Sequence, residues 1–147
     1  MTPEALRSYL HDHIPLSRAM AVEVLEASAE HVLLQAPLAP NINMHGTMFG
    51  GSAATLALLA AWSVMHLKLE AEGIASQLVI HRTATEYLLP ISGLAQASAS
   101  LDDSGWPTFL QTYQRRGRAR LTVTAELLYE GKLAGRLTGE FVAISEA

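Results

Sequence analysis

The feature that most constrains this 147-residue chain is a long uncharged stretch near its middle. No Asp, Glu, Lys or Arg occurs in residues 41–67, and the apolar residues from Phe49 onward would cover every side of a helix. A segment of this kind is too long for a strand and is typical of a helix that other elements bury all round. The rest of the chain must therefore supply the elements that enclose it.

Three glycines, Gly46, Gly50 and Gly51, stand just before or at the start of the apolar run. They indicate a tight turn that leads into the helix. The first amide groups of a helix have no intrahelical acceptor and favour a partial negative charge, and glycines let another group approach them closely. The start of the helix is therefore a candidate oxyanion site. The alternative is that these glycines only turn the chain into a buried helix.

Residues 49–67 are also long enough to span a membrane. The stretch is rich in Ala, Gly and Ser, contains His66, and lacks the density of Leu, Ile and Phe that favours insertion. We therefore predict a buried helix of a soluble protein. Residues 1–13 lack the basic-then-apolar pattern of a signal peptide, so we expect a cytoplasmic protein.

Composition narrows the function classes further. The net charge of −4 argues against a nucleic-acid partner. The chain has no cysteine, which excludes disulfides, zinc–thiolate sites and a cysteine nucleophile. Neither repeats nor a linker are visible, and the length suits a single domain over residues 1–147.

Local patterns predict a helix after Thr2, two strands, the central helix and four further strands. The predicted strands cover residues 18–28, 31–38, 77–89, 94–101, 118–129 and 132–144, whereas 106–117 is expected to be irregular. On the strand at 77–89 we expect Val79, His81, Thr83, Thr85 and Tyr87 to share one face. Strands in this order form one antiparallel sheet, and its concave face needs the central helix to cover it.

Smaller features refine this arrangement. Ala95, Ala97 and Ala99 would leave room for the central helix on one face of their strand. Glu130 and Gly131 predict a two-residue hairpin turn. His11 and His13 are two residues apart on the first helix and make a poor metal pair, so we expect solvated or capping side chains and no metal site.

The order of elements resembles that of the hotdog-fold thioesterases. The pattern N-x-x-G-T-x-x-G-G at Asn43, Gly46, Thr47, Gly50 and Gly51 is similar to theirs, as is the segment from Tyr87 to Pro90. More narrowly, HGTMFGGS and the tail from residue 114 resemble the YiiD C-terminal type. The resemblance implies an α+β hotdog fold, with an antiparallel sheet wrapped around a long central helix. It also implies a homodimer or dimer of dimers, acyl-CoA or acyl-carrier-protein thioester substrates, and no cofactor.

The same resemblance assigns roles at the turn. Gly51 and its neighbours would donate amides to the oxyanion of a thioester. Asn43 would orient water or substrate, or else only form the turn. Thr47 and Ser52 would contact substrate or position water, although Ser52 also suits a helix cap. Tyr87 would bind substrate.

The general base is not determined by the sequence. Many hotdog thioesterases carry an Asp or Glu two turns into the central helix. The corresponding position here is near Leu58, where the chain has no acidic residue. His45 in the turn, Glu86 on the third strand and a water-positioning hydroxyl stay open as substitutes. A protein that binds acyl thioesters without hydrolysing them is the main alternative function, and a dehydratase or hydratase of enoyl thioesters is a weaker one.

Four of the ten basic residues lie close together at Arg115, Arg116, Arg118 and Arg120. We expect Arg115 and Arg116 to contact phosphates of coenzyme A or of a phosphopantetheine arm. The alternative is a solvated or ion-paired strand edge. Arg118 and Arg120 share one strand face and are expected to be structural.

Overall fold

Six antiparallel strands form one sheet against a 22-residue central helix in a computed structural model, which describes residues 1–146. The helices are α1 (Pro3–His13), α2 (Pro15–Ala19), α3 (Gly50–Ala71) and α4 (Trp106–Arg116), and the strands are β1 (Glu23–Ala27), β2 (His31–Ala36), β3 (Ser76–Tyr87), β4 (Ala95–Ser100), β5 (Arg118–Tyr129) and β6 (Lys132–Ser145). The strand order is β1-β2-β4-β5-β6-β3, so β1 and β3 are the two edges. This is the predicted α+β hotdog architecture.

Helix and hairpin boundaries follow local chemistry. Thr2 caps α1, its hydroxyl oxygen accepting the Ala5 amide at 3.1 Å. Gly73, with φ +70, follows the end of α3. Glu130 and Gly131 both have positive φ and close the β5–β6 hairpin. The predicted helix after Thr2 and the predicted hairpin turn at Glu130 and Gly131 are confirmed.

The core lies between α3 and the inner face of the sheet. Eleven residues of α3 are buried, and Ala95, Ala97 and Ala99 of β4 face it at 0–1 % exposure, as predicted. By length and composition α3 could cross a membrane, but 61 % of its most apolar window is buried within the protein. That burial is typical of the core helix of a soluble protein.

Residues 106–117 were predicted to be irregular, and that prediction is wrong. They contain α4, where Trp106, Phe109 and Tyr113 recur at helical spacing and stack on one another. Trp106 and Phe109 are buried in a second apolar cluster with Leu69 of α3. The missed start signal is Pro107 in the first turn.

The first predicted strand also began too early. Arg18 and Ala19 belong to the short helix α2, and β1 starts only at Glu23. His11 was expected to be solvated or capping, but it is 6 % exposed. A ring nitrogen of His11 forms a 2.8 Å hydrogen bond with the carbonyl oxygen of Val22, so this side chain joins α1 to the start of β1.

A bulge in β3 overturns the predicted strand face. Ile80 lies opposite Phe141 and Thr83 lies opposite Gly139 on β6. Those two partners are two residues apart, so Ile80 and Thr83 share a face. The register shifts between Ile80 and Arg82. The extra residue of this bulge exchanges the two faces of the strand. Val79 therefore does not share a face with Thr83, contrary to the prediction.

Candidate active site at the start of the central helix

The turn that precedes α3 is organised by the side chain of Asn43. Its Oδ1 accepts the His45 amide at 2.8 Å and the Thr47 amide at 3.2 Å. Its Nδ2 donates to the Thr47 hydroxyl at 2.9 Å and to the carbonyl of Met48 at 3.5 Å. Both ends of the amide are thus engaged within the turn, which is a common use of asparagine. Gly46 completes the turn with φ +78.

The first three amides of α3 have no backbone acceptor within residues 1–146. The first intrahelical bond runs from the Ala53 amide to the carbonyl of Phe49 at 3.0 Å, which leaves the N–H groups of Gly50, Gly51 and Ser52 unpaired. Phe49 occupies the N-cap position and makes no side-chain cap bond. Ser52 is inside the first turn, so the predicted use of its hydroxyl as a helix cap is wrong. The free amides and the helix dipole favour a partial negative charge here.

The rings of Phe49 and Tyr87 lie close to the glycines at this point of the chain. A Cβ on Gly51 would collide with the exposed ring of Phe49, whereas a Cβ on Gly50 would make an ordinary van der Waals contact of 3.5 Å with the ring of Tyr87. The Tyr87 hydroxyl donates to the carbonyl of Gly50 at 2.9 Å. This hydrogen bond joins the end of β3 to the start of α3. The Phe49 ring lies next to Gly51, so a group that binds the Gly51 amide must pass this ring.

A cavity of about 220 Å³, lined mainly by apolar side chains, opens near the start of α3, where Ala53 and Tyr87 border it. Residues 87–89 at the end of β3 form its exposed rim. Its floor consists of side chains that are at most 6 % exposed, namely Met48, Ala53, Ile91, Leu127 and Ala134. This cavity was not predictable from the sequence, because its floor comes from four separate segments of the chain.

The two predicted bases lie in different places. His45 is exposed at the tip of the turn, and only its backbone amide is bonded, to Asn43. Glu86 lies opposite Arg136 on β6, with 3.8 Å between its carboxylate and the guanidinium. Arg136 also approaches Glu126 at 3.9 Å, and this polar group occupies the face of the sheet away from α3. Within one protomer, six of the predicted residues lie around the turn and the start of α3, namely Asn43, His45, Thr47, Gly51, Ser52 and Tyr87. The side chain of Glu86 points to the opposite face of the sheet.

Arg115 and Arg116 lie at the other end of the molecule. They are exposed in the last turn of α4, just before β5 begins at Arg118. Leu127, which lines the cavity, is nine residues further along β5, or about 30 Å at strand spacing. The hydroxyl of Tyr113 donates to the carbonyl of Ala75 at 3.3 Å, which places the arginines near the start of β3. A substrate held at the α3 amides would therefore have to extend about 30 Å to contact these arginines in the same protomer.

Further along α3, the ring of His66 packs against the rings of Tyr9 and Trp62, with centroid distances of 5.0 and 4.7 Å, and those two rings also stack on each other. Burial lowers the pKa of His66 below its ordinary value of 6.5, and the carboxylate of Glu70, 3.3 Å away, acts in the opposite direction.

Within residues 1–146, no group of three His, Asp or Glu side chains could hold a metal ion. The polar groups of the turn itself are amides, hydroxyls and the imidazole of His45.

Comparison with known proteins identifies relatives over nearly the whole chain. A family model described as "Putative thioesterase (yiiD_Cterm)" matches residues 3–145. Three solved structures illustrate the likeness in fold. A protein of unknown function from Chlorobaculum tepidum TLS is 28 % identical with a TM-score of 0.91, and the match covers 99 % of this chain and 98 % of that one.

A protein from Shewanella oneidensis described as a putative thioesterase is 29 % identical with a TM-score of 0.86, over 97 % of this chain and 96 % of that one. A thioesterase from Haemophilus influenzae is 16 % identical with a TM-score of 0.77, over 99 % and 92 %. At that level of identity, the likeness concerns the fold alone. All three relatives share the sheet wrapped around one long helix.

Proposed function

The chain belongs to the family of putative thioesterases of the yiiD C-terminal type, and from that membership we propose that it hydrolyses acyl thioesters of coenzyme A or of acyl carrier protein. The observation that carries the proposal is the set of unpaired amides of Gly50, Gly51 and Ser52 at the start of α3. Such amides suit the oxygen of a thioester carbonyl, whose negative charge grows as water attacks.

In the proposed reaction, water adds to the thioester carbon and loses a proton to a base. The carbonyl oxygen becomes an oxyanion, which accepts hydrogen bonds from the amides of Gly51 and its neighbours. The carbon–sulfur bond then breaks, and the thiolate takes up a proton to leave as the free thiol. One donor of this kind is typically worth about a hundredfold to a thousandfold in rate.

We assign the proton-accepting role to His45 ahead of Glu86. His45 belongs to the same turn as the amides, and its ring has no partner among residues 1–146. Glu86 faces away from α3 and is paired with Arg136. Asn43 supports the site by holding the turn, since its amide is already engaged there. Thr47, Ser52 and Tyr87 would line the path of the substrate.

The proposed active form is a homodimer in which the β3 strands of two protomers pair. β3 has twelve residues, most of them exposed, and pairs only with β6. A two-fold axis through the sheet makes the two β3 strands antiparallel. The partner's Ala75 end would then lie beside the Tyr87 end of this protomer. Arg115 and Arg116 of the partner subunit could thereby reach the phosphates of a carrier bound here.

A protein that binds acyl thioesters without hydrolysing them is the second candidate function. It is favoured by the absence of any carboxylate in α3 before Glu70, since the proposed site then depends on a single exposed imidazole for proton transfer. In that case the amides and the apolar cavity would hold the acyl group while no water is activated.

Thiol release from a panel of acyl-CoA and acyl-carrier-protein thioesters tests the proposal. We expect turnover by the natural protein, with kcat reduced about a hundredfold in His45→Ala and much less in Glu86→Gln. Turnover that survives Asn43→Ala, His45→Ala and Glu86→Gln alike would reject the site. Binding without thiol release would support the second candidate, and hydration of an enoyl-CoA would indicate a hydratase.

A further inference from the structure

The apolar cavity near the start of α3 carries an inference about the substrate, which rests on the proposed function. We propose that this cavity receives the acyl group, and that it selects uncharged acyl chains of short to medium length. Its position supports this role. Ala53 and Tyr87 line the cavity, Tyr87 also touches Gly50, and the unpaired amide of Gly51 follows immediately. When the carbonyl oxygen of a thioester binds these amides, the acyl group on the carbonyl carbon is therefore directed toward the cavity.

The lining determines the chemical class of that substituent. Every side chain that lines the cavity is apolar except Tyr87, and the Tyr87 hydroxyl already donates to the carbonyl of Gly50. The amides of Leu88 and Leu89 are also engaged, both donating to the carbonyl of Ala134 at 2.8 and 3.0 Å. Among residues 1–146, no charged side chain lines the cavity to pair with a terminal carboxylate. Burying a carboxylate there would be strongly unfavourable, so dicarboxylic acyl groups short enough to end inside the cavity are excluded.

The volume sets the chain length. An apolar cavity of about 150 Å³ holds benzene, with six carbons. By proportion, the volume of about 220 Å³ accommodates about eight or nine carbons. A longer chain would have to project past the rim at residues 87–89, where its additional methylene groups gain no contact with the cavity.

Ala134 is the residue that limits the depth of the cavity. Leu127 pairs with Gly135 and Leu128 pairs with Leu133, so Ala134 is the extra residue of a bulge in β6. Its side chain is 2 % exposed and forms part of the floor. A larger side chain here would fill space that the end of an acyl chain otherwise occupies.

The test compares Ala134→Leu with the control Ala143→Leu on the same strand, where Ala143 is also fully buried but belongs to the second apolar cluster. Saturated acyl-CoA esters from acetyl to palmitoyl, together with succinyl-CoA, serve as substrates. For the natural protein, kcat/KM should rise from acetyl to octanoyl and rise no further toward palmitoyl. Ala134→Leu should lower the octanoyl-to-butyryl ratio of kcat/KM about tenfold or more, and Ala143→Leu should leave it unchanged.

An unchanged ratio in Ala134→Leu, a preference for palmitoyl over octanoyl, or succinyl turnover equal to that of butyryl would overturn the inference. If Ala134→Leu does not fold, Ala134→Val should shift the ratio in the same direction and Ile91→Ala in the opposite one. Absence of hydrolysis for every ester would reject the proposed function alone. Calorimetric binding of S-octyl and S-butyl coenzyme A thioethers then decides on the cavity, since Ala134→Leu must weaken the S-octyl compound selectively.

Discussion

At the residue scale, single side chains fix the geometry of the candidate site. Asn43 forms four hydrogen bonds within its own turn, and Tyr87 joins the end of β3 to the first carbonyl of α3. The pattern of glycines and Asn43 could be predicted from the sequence because turn chemistry is local. The partner of Glu86 could not, because Arg136 is fifty residues away in the chain.

Tyr87→Phe removes only the hydroxyl that donates to Gly50. We expect the free energy of unfolding to fall by about 0.5–1.5 kcal/mol, the usual net value of one hydrogen bond. Urea denaturation measures the change. The matched control is Tyr9→Phe, because no hydrogen bond of the Tyr9 hydroxyl is found in the described chain, and its stability should stay within about 0.5 kcal/mol of the natural protein. Equal stability of Tyr87→Phe and the natural protein would contradict the assignment.

His66 should make stability depend on pH. Because the pKa of His66 is lowered in the folded protein, the unfolded chain takes up a proton at this side chain more readily than the folded chain does as the pH falls below 6.5. The free energy of unfolding should therefore decrease from pH 7 toward pH 5, and this contribution should be fully present above pH 6.5. His66→Phe keeps a ring packed against Tyr9 and Trp62 and should show a smaller decrease. The same pH slope in both proteins would refute this assignment.

At the element scale, the central helix and the strands that touch it were predictable, whereas α4 and the bulge of β3 were not. Uninterrupted hydrophobicity predicts α3 without knowledge of its neighbours. In contrast, α4 has three aromatic residues on an otherwise polar segment, and its burial against Leu69 depends on the tertiary fold. A bulge changes the face of every residue beyond it without any marker in the sequence, which is why the face of Val79 was predicted wrongly.

Ala97 tests how closely α3 lies on the sheet. Its side chain is fully buried between β4 and the helix, so Ala97→Leu should overpack this contact and destabilise the protein by about 1–3 kcal/mol. Thermal unfolding measures the loss. Gln96→Leu, on the opposite face of the same strand, should change stability much less. A stable Ala97→Leu protein would mean that the helix is more loosely packed than the structure indicates.

At the scale of the whole molecule, the two parts of the proposed site lie at opposite ends of one protomer. The amides and the cavity are at the Tyr87 end of the sheet, and the arginines of α4 are near Ala75. The sequence predicted roles for the amides and the arginines but not the cavity, and it could not give the separation of the two parts, because that depends on strand register. The proposed dimer reunites them, since antiparallel pairing of β3 brings opposite ends of two protomers together.

A charge on the inner face of β3 tests the dimer. Thr83 is exposed near the middle of this edge strand, so Thr83→Lys places two like charges near the two-fold axis and should block pairing. We expect the natural protein to sediment at twice the 15.8 kDa chain mass and the variant as a monomer. Thr124→Lys, on an interior strand, is the control and should stay dimeric. A monomeric natural protein would contradict the proposed assembly.

The central claim is that the Gly51 amide binds the oxygen of the thioester carbonyl. Replacing Gly51 by glycolic acid turns this amide into an ester and removes one N–H without adding a side chain. Because that N–H has no backbone acceptor in the described chain, we expect only a small loss of stability, caused by the weaker ester carbonyl of Gly50 that accepts the Tyr87 hydroxyl, and a loss of about a hundredfold to a thousandfold in kcat. The control ester at Ala53 removes the N–H that donates to Phe49, and should cost about 1 kcal/mol of stability with little change in kcat. An unaltered kcat in the ester at position 51 would contradict the account.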